Sequence, residues 1–149
     1  MEQIKTTNKQ TAFVLLRITI GVNLFAHGLV RLPKIAGFRD WMISQFQDTI
    51  LPRWSVYVWG NVLPILELMI GGLLILGLFT YRAGVTGALL IAILILGSCL
   101  AEHWEWAGGQ MVYALFFYFI ISNIEYNKYA LDLKLKNNLK INKDESHRI

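Results

Sequence analysis

The chain is short of the groups that ordinary soluble domains turn toward water. Charged side chains make up 16% of its 149 residues, against about a quarter in an average globular domain. With one cysteine, Cys99, no intrachain disulfide can form. Set in the apolar run from Leu89 to Leu100, that thiol reads as a small packing residue rather than a reactive one. Only three prolines punctuate the sequence, Pro33, Pro52 and Pro64. No phosphate-binding glycine loop, nucleophile elbow or Cys-x-x-Cys pair is present, so nothing points to a nucleotide fold or a triad hydrolase. The histidines and carboxylates His27, Glu102 and His103 lack the spacing of a ligand set, and no metal is expected.

What the chain has instead is apolar length: 55% of the residues are hydrophobic, gathered in runs of about 20, the number that spans a hydrocarbon core of about 30 Å. The expected fold is an all-α membrane protein, an antiparallel bundle of four transmembrane helices with a short amphipathic interfacial helix between helices 1 and 2. The spans fall at about 12–32, 56–79, 83–101 and 110–126. No cleavable signal is evident, and the first apolar run stays in the protein as a span. Thr11 is placed to cap it and Pro33 to end it. Between 37 and 51, Phe38, Trp41, Met42, Phe46 and Ile50 recur at helical spacing, which suits a helix lying on the membrane or packed over the ends of the spans. Trp54, Tyr57 and Trp59 follow as interfacial anchors. Thr80 to Arg82 read as a tight turn, and Gly84, Ala88 and Ala92 as a small-residue ridge for close helix packing.

Residues 1–132 form the membrane domain and 133–149 a basic cytoplasmic tail. Five lysines and one arginine follow Tyr126, a composition suited to an anionic leaflet rather than to nucleic acid. With Lys5, Lys9 and Arg82 they outnumber Arg31, Lys34, Arg39 and Arg53 on the other side. Both termini are therefore expected in the cytoplasm of a bacterial-type inner membrane.

Glu67 stands in the otherwise apolar run 61–79. An unpaired charge at mid-bilayer costs about 2.5 to 3.5 kcal/mol on insertion scales, so this carboxylate needs a partner or a proton. Arg17, Asn23 and His27 on the first span are the candidates. Counted inward at about 1.5 Å per residue from Ala12 and Phe79, Asn23 comes level with Glu67 and Arg17 lies nearer the membrane face. Three readings stay open: an Arg17–Glu67 ion pair that fixes register, a proton relay or polar-ligand site, or Arg17 snorkelling to headgroups. His27 falls near the outer end beside Asn61. Either Asn61 or a loop carbonyl satisfies it, or it contacts the headgroup of a quinone-like molecule entering from lipid. Glu102 and His103 are the outer-loop candidates.

LLRITIGVNLFAHGLVRL at 15–32 resembles the opening signature of the DoxX family, and ELMIGGLLILGLFTYRAG at 67–84 its glutamate-glycine-leucine segment and following turn. NKYALD at 127–132 is similar to its closing motif. The resemblance implies a four-helix membrane protein and carries over Arg17, Gly21, His27, Gly28, Glu67 and Gly72. It also implies a role drawn from a mixed group: the small membrane subunit of a thiosulfate:quinone oxidoreductase, proteins of thiol and oxidative-stress defence, and membrane proteins that assist assembly.

The function expected is an inner-membrane subunit or accessory protein of a redox system, with an intramembrane site for a quinone or small polar ligand formed by Arg17, Asn23, His27, Asn61 and Glu67. The alternative is an assembly or scaffold protein acting through lipid-facing grooves and the 37–51 helix. No catalytic motif marks the chain as an oxidoreductase in its own right. Its expected partners are the bilayer and a membrane or redox protein, with a homo-oligomer open and nucleic acid not expected.

Overall fold

The computed structural model describes residues 2–132, all in helices or connecting turns with no strand among them; the expected tail at 133–149 lies outside the described residues. Five α-helices follow in order: α1 Glu2–Arg31, α2 Ile35–Gln45, α3 Arg53–Leu76, α4 Thr80–Leu100 and α5 Trp104–Ser122. Short 3-10 turns at Leu32–Lys34 and Ile124–Tyr126 complete the set. Three helical segments are long and apolar enough to cross a membrane, Thr7–Gln45, Arg53–Leu76 and Thr80–Leu100.

The element ends differ from the expected ones for local reasons. Thr11 does not cap α1: the helix already runs from Glu2, and the Thr11 hydroxyl donates to the Thr7 carbonyl inside it. Pro33 acts as expected, turning the chain through one 3-10 turn before α2 begins. α2 stops at Gln45 rather than 51, because Thr49 folds back and donates its hydroxyl to the Phe46 carbonyl. Pro52 caps α3 with an extended backbone, and its carbonyl accepts from both Ser55 N and Ser55 Oγ, so α3 starts at Arg53. The tight turn sits at 77–79, not 80–82. Gly77 takes a left-handed φ of +64° and lets Leu78 N reach Leu73 O at 3.0 Å, which ends α3. Gly108 and Gly109 stay helical, and α5 begins at Trp104.

The four long helices pair as two antiparallel hairpins, each closed on glycine. In the first, α1 lies on α3 with Gly21 against Ile75 and Gly28 against Pro64 and Leu68. A methyl group at Gly28 would stand 2.6 Å from Leu68 N, and one at Gly71 would stand 2.7 Å from Gly21 O. In the second, Gly87 of α4 faces the Phe117 ring of α5 and Gly84 faces Ile120 and Ile121. The packed face of α4 is thus Ala83, Gly84, Gly87, Leu90 and Ile91, while Ala92 of the expected ridge is exposed. α2 does not lie apart on a surface. It packs across α3 where Gly60 leaves room for the Arg39 backbone, and its Met42 is buried in the core with Leu63 and Ile91.

At the end away from α2, the segment after α5 is tied down by a polar latch. Arg17 is only 2% exposed. It donates from Nη1 to Asn127 Oδ1 (3.3 Å) and from Nη2 to the Tyr129 carbonyl (2.9 Å). Asn127 donates in turn to Thr80 Oγ1 at 2.9 Å. The Asp132 carboxylate accepts from Phe79 N (2.6 Å) and Thr80 N (2.9 Å), capping α4, while Asp132 N donates to Gly77 O. No other residue than glycine fits at 77, since a side chain there would run into the Arg17 guanidinium.

Two sets of variants test this architecture by thermal unfolding in detergent. Gly28→Val and Gly71→Val, which drive a side chain into facing backbone, each cost at least about 3 kcal/mol, whereas Gly37→Ala and Gly108→Ala, with no atom within 4 Å, leave the midpoint unchanged or slightly higher. Asp132→Ala loses about 1 kcal/mol of capping, and Asn127→Leu, which removes one of the two acceptors of the buried Arg17 guanidinium, loses about 1 to 3 kcal/mol.

Candidate functional site

The same α1–α3 register decides what Glu67 meets. Gly28 opposite Pro64 and Leu68 brings Glu67 level with His27 and Gly28, one helical turn further along α1 than Asn23. Arg31, the last residue of α1, stands one turn beyond and reaches back. Its Nη1 donates to both Oε1 and Oε2 of Glu67 at 2.6 Å. The Glu67 side chain is 5% exposed and the Arg31 side chain 25%. On its other side the Arg31 guanidinium lies over the Phe38 ring, 4.6 Å from the centroid, a cation–π contact with α2. The buried carboxylate is thereby paired, and the arginine is held between an acid and an aromatic face.

The Arg17–Glu67 ion pair, one of the three readings left open by the sequence, is not made. Counting from assumed membrane faces set α1 one turn too deep, and Arg17 lies instead beside Gly77 in the latch. Asn61 is not brought to the site either: its amide donates to Tyr57 O of its own helix at 2.7 Å and it lines neither cavity described below. His103 caps the start of α5 and stacks on Trp106 at 3.8 Å between centroids. Glu102, exposed and in a left-handed conformation, forms the turn before it.

Between the two hairpins, at the α2 end, lies a cavity of about 580 Å³. Its walls are mostly apolar, with Leu24, Leu63, Ile91 and Leu94 among them. Asn23, His27, Arg31 and Glu67 supply polar groups on the α1–α3 side, Ser98, Gln110 and Tyr113 on the α4–α5 side. α2 covers it with Phe38, Trp41, Met42 and Phe46. Rings continue the cover from α2 to α5, Phe38 stacked on Trp41 (5.8 Å) and Trp41 tilted against Trp106 (5.7 Å). Asn23, His27 and Arg31 also border a groove of about 540 Å³ on the outward face of α1, so the polar stripe of the first helix runs from the protein surface into the cavity. Neither Asn23 nor His27 hydrogen-bonds another described residue through its side chain.

Arg31, Phe38, Trp106 and the α4–α5 polar trio were not among the expected site residues. Arg31 shares a helix face with His27, spaced by four, which was the available signal. The others come from elements whose placement depends on tertiary packing.

Such a chamber can take an amphipathic molecule. Its apolar walls suit a ring or chain, and its acid–base pair is placed to donate, accept or relay a proton.

A family model described as DoxX matches residues 12–104, from α1 through the first residue of α5. No curated protein and no solved structure matches the chain.

The asymmetry of the ion pair sets an expected order of stability. Arg31→Met leaves a buried carboxylate unpaired and costs about 3 kcal/mol, Glu67→Gln leaves a partly exposed guanidinium on Phe38 and costs less, and the double variant recovers most of the Arg31→Met loss. A double-mutant cycle on thermal midpoints in detergent checks the order, and equal single losses with no recovery would refute it.

Proposed function

The chain belongs to the DoxX family, and from that premise we propose that it is an inner-membrane accessory subunit of a redox system whose cavity holds the head of a quinone or a similar amphipathic ligand. The observation that carries this reading is the Arg31–Glu67 pair in the wall of a mostly apolar chamber of about 580 Å³. A buried ion pair contributes little net stability over a well-packed apolar pair, and its position at a cavity gives it a use. In this reading Glu67 accepts or delivers the ligand's proton, Arg31 holds the carboxylate in place and steadies its charge, and His27 with Asn23 meets the ligand at the mouth. Electrons come from a redox protein partner, and this chain supplies binding and proton handling.

The topology belongs to the same proposal. α5 is the fourth crossing, both termini face the cytoplasm, and the cavity with α2 lies toward the outer side. Lys9 and Arg82 at the latch end, and Lys34, Arg39 and Arg53 at the other, enter the charge count as in the sequence. Arg31 counts with them, since the bias is set by lysines and arginines rather than by net charge. The scaffold alternative, acting through lipid-facing grooves and the 37–51 helix, shares Phe38, Trp41 and Phe46 with the cavity lining and keeps exposed apolar surface at Trp41 and Ile50, 45% and 86% accessible.

Purified protein in phosphatidylcholine nanodiscs, titrated with 2,3-dimethyl-1,4-naphthoquinone by calorimetry, is expected to bind one equivalent. Glu67→Gln should weaken that binding at least about tenfold while the protein still accumulates in the membrane. A wild-type protein that binds no quinone sinks the reading, and a Glu67→Gln protein that fails to accumulate assigns the pair to structure alone.

A further inference from the structure

Of the polar groups that line the cavity, those on α4 and α5 take no part in the Arg31–Glu67 pair. Ser98 is 3% exposed, and its hydroxyl does not bond back to its own helix as Thr19 and Thr86 do. It donates instead to Gln110 Oε1 on α5 at 3.0 Å. That bond occupies the amide oxygen and turns the amide about a fixed axis, leaving the two N–H donors of Gln110 Nε2 without a partner among the described residues. Tyr113 stands three residues further along α5, on the same face, and its hydroxyl is also unpartnered among the described residues. Both side chains border the same chamber as Arg31 and Glu67. Gln110 and Tyr113 lie beyond the stretch matched by the family model, so membership assigns them nothing.

We propose that Gln110, oriented by Ser98 and joined by Tyr113, is a second anchor on the wall facing the Arg31–Glu67 pair, so that the site selects a flat lipophilic ring bearing an oxygen at each end. The inference rests on the ligand reading given above and narrows it. The two walls differ in chemistry. On the α1–α3 side a charged pair can exchange a proton with the ligand, whereas the α4–α5 side offers neutral donors that only hold. A ring with two opposed carbonyl oxygens accepts hydrogen bonds on both sides, with one oxygen able to take up to two bonds from the donors of Gln110 and Tyr113. A ring with a single oxygen satisfies the ion-pair side and leaves the Gln110 amide facing apolar ligand surface, at the cost of an unmade hydrogen bond. Gln110 and Tyr113 are thus specificity-determining residues, and Ser98 is a positioning residue that acts through the amide.

The test compares two probes on the full chain in nanodiscs: 2,3-dimethyl-1,4-naphthoquinone, with oxygens at both ends of the ring, and 1-tetralone, with one. Gln110→Leu is expected to weaken the quinone about tenfold and to leave 1-tetralone within about twofold of wild type. Tyr113→Phe, which removes only a hydroxyl, should show the same selectivity at smaller size, and it serves where Gln110→Leu does not accumulate. Ser98→Ala should give a partial quinone loss, and adding it to Gln110→Leu should not deepen the loss that Gln110→Leu shows alone. Equal weakening of both probes, or quinone affinity unchanged in Gln110→Leu and Tyr113→Phe, overturns the second anchor. Quinone binding lost in Glu67→Gln but intact in both α5 variants overturns the anchor alone, while a wild-type protein that binds neither probe overturns the site with it.

Discussion

Where Gly28 meets the backbone of Leu68, no side chain can stand, and that contact fixes how α1 slides against α3. Gly21 and Gly71 repeat the constraint further along the pair. Helices that touch backbone to backbone gain dispersion contacts along their length and lose them with any shift of register. The consequence reaches both ends of the molecule. At one end the register sets Arg31 over Glu67, and at the other it sets Arg17 beside Gly77, where the segment 127–132 completes its hydrogen bonds. Two arginines on one helix, fourteen residues apart in sequence, are thus assigned to different partners by glycines that carry no chemistry of their own.

The helical plan was legible because apolar runs of membrane-spanning length and proline stops leave few alternatives, and the spans expected at 12–32, 56–79 and 83–101 overlap the three apolar helices, the second overrunning α3 by the turn at 77–79. Glu67 was legible as a buried carboxylate for the same reason. Its partner was not. Depth counted from assumed membrane faces is good only to about a turn, and one turn is the difference between Asn23 and His27 as the neighbour of Glu67. The glycines held the information, since Gly21 and Gly28 on one helix and Gly71 on the other can face one another in few registers, but only the packing of the two helices against each other converts spacing into register. The role of 127–132 was illegible for another reason. Asn127 and Asp132 act on a turn some fifty residues earlier in the chain, and no periodicity within a helix reports a contact of that range.

The covering of the cavity follows from the same packing. α2 is short, and only because Gly60 admits the Arg39 backbone does it cross α3 closely enough to lower Phe38, Trp41 and Phe46 over the gap between the hairpins. Near Gly84, Gly87 and Phe117 the second hairpin is closed tightly, while at Ser98 and Gln110 it is joined by a side-chain hydrogen bond beside open volume. The bundle is accordingly shut at the latch end and hollow at the α2 end.

That contrast bears on what each buried charge is for. Arg17 is surrounded by groups that can only hold it: an amide oxygen, a peptide carbonyl and the turn at Gly77, with its Nε the one buried side-chain polar atom left without a partner among the described residues. Arg17 lines neither of the two cavities described above, and its bonds fasten the segment after α5 to the start of α4. Arg31 and Glu67 face the opposite situation, with every bond directed at each other and a chamber beside them. If fixing register were the only requirement, the glycine contacts already meet it, and a pair of leucines would fill the same volume without the desolvation of two charges. The pair thus borders a space that the Arg17 latch lacks, and it is on this contrast that the proposed function rests, with Glu67 proposed as the proton-exchanging group and Arg31, over the Phe38 ring, as the group that holds it in place.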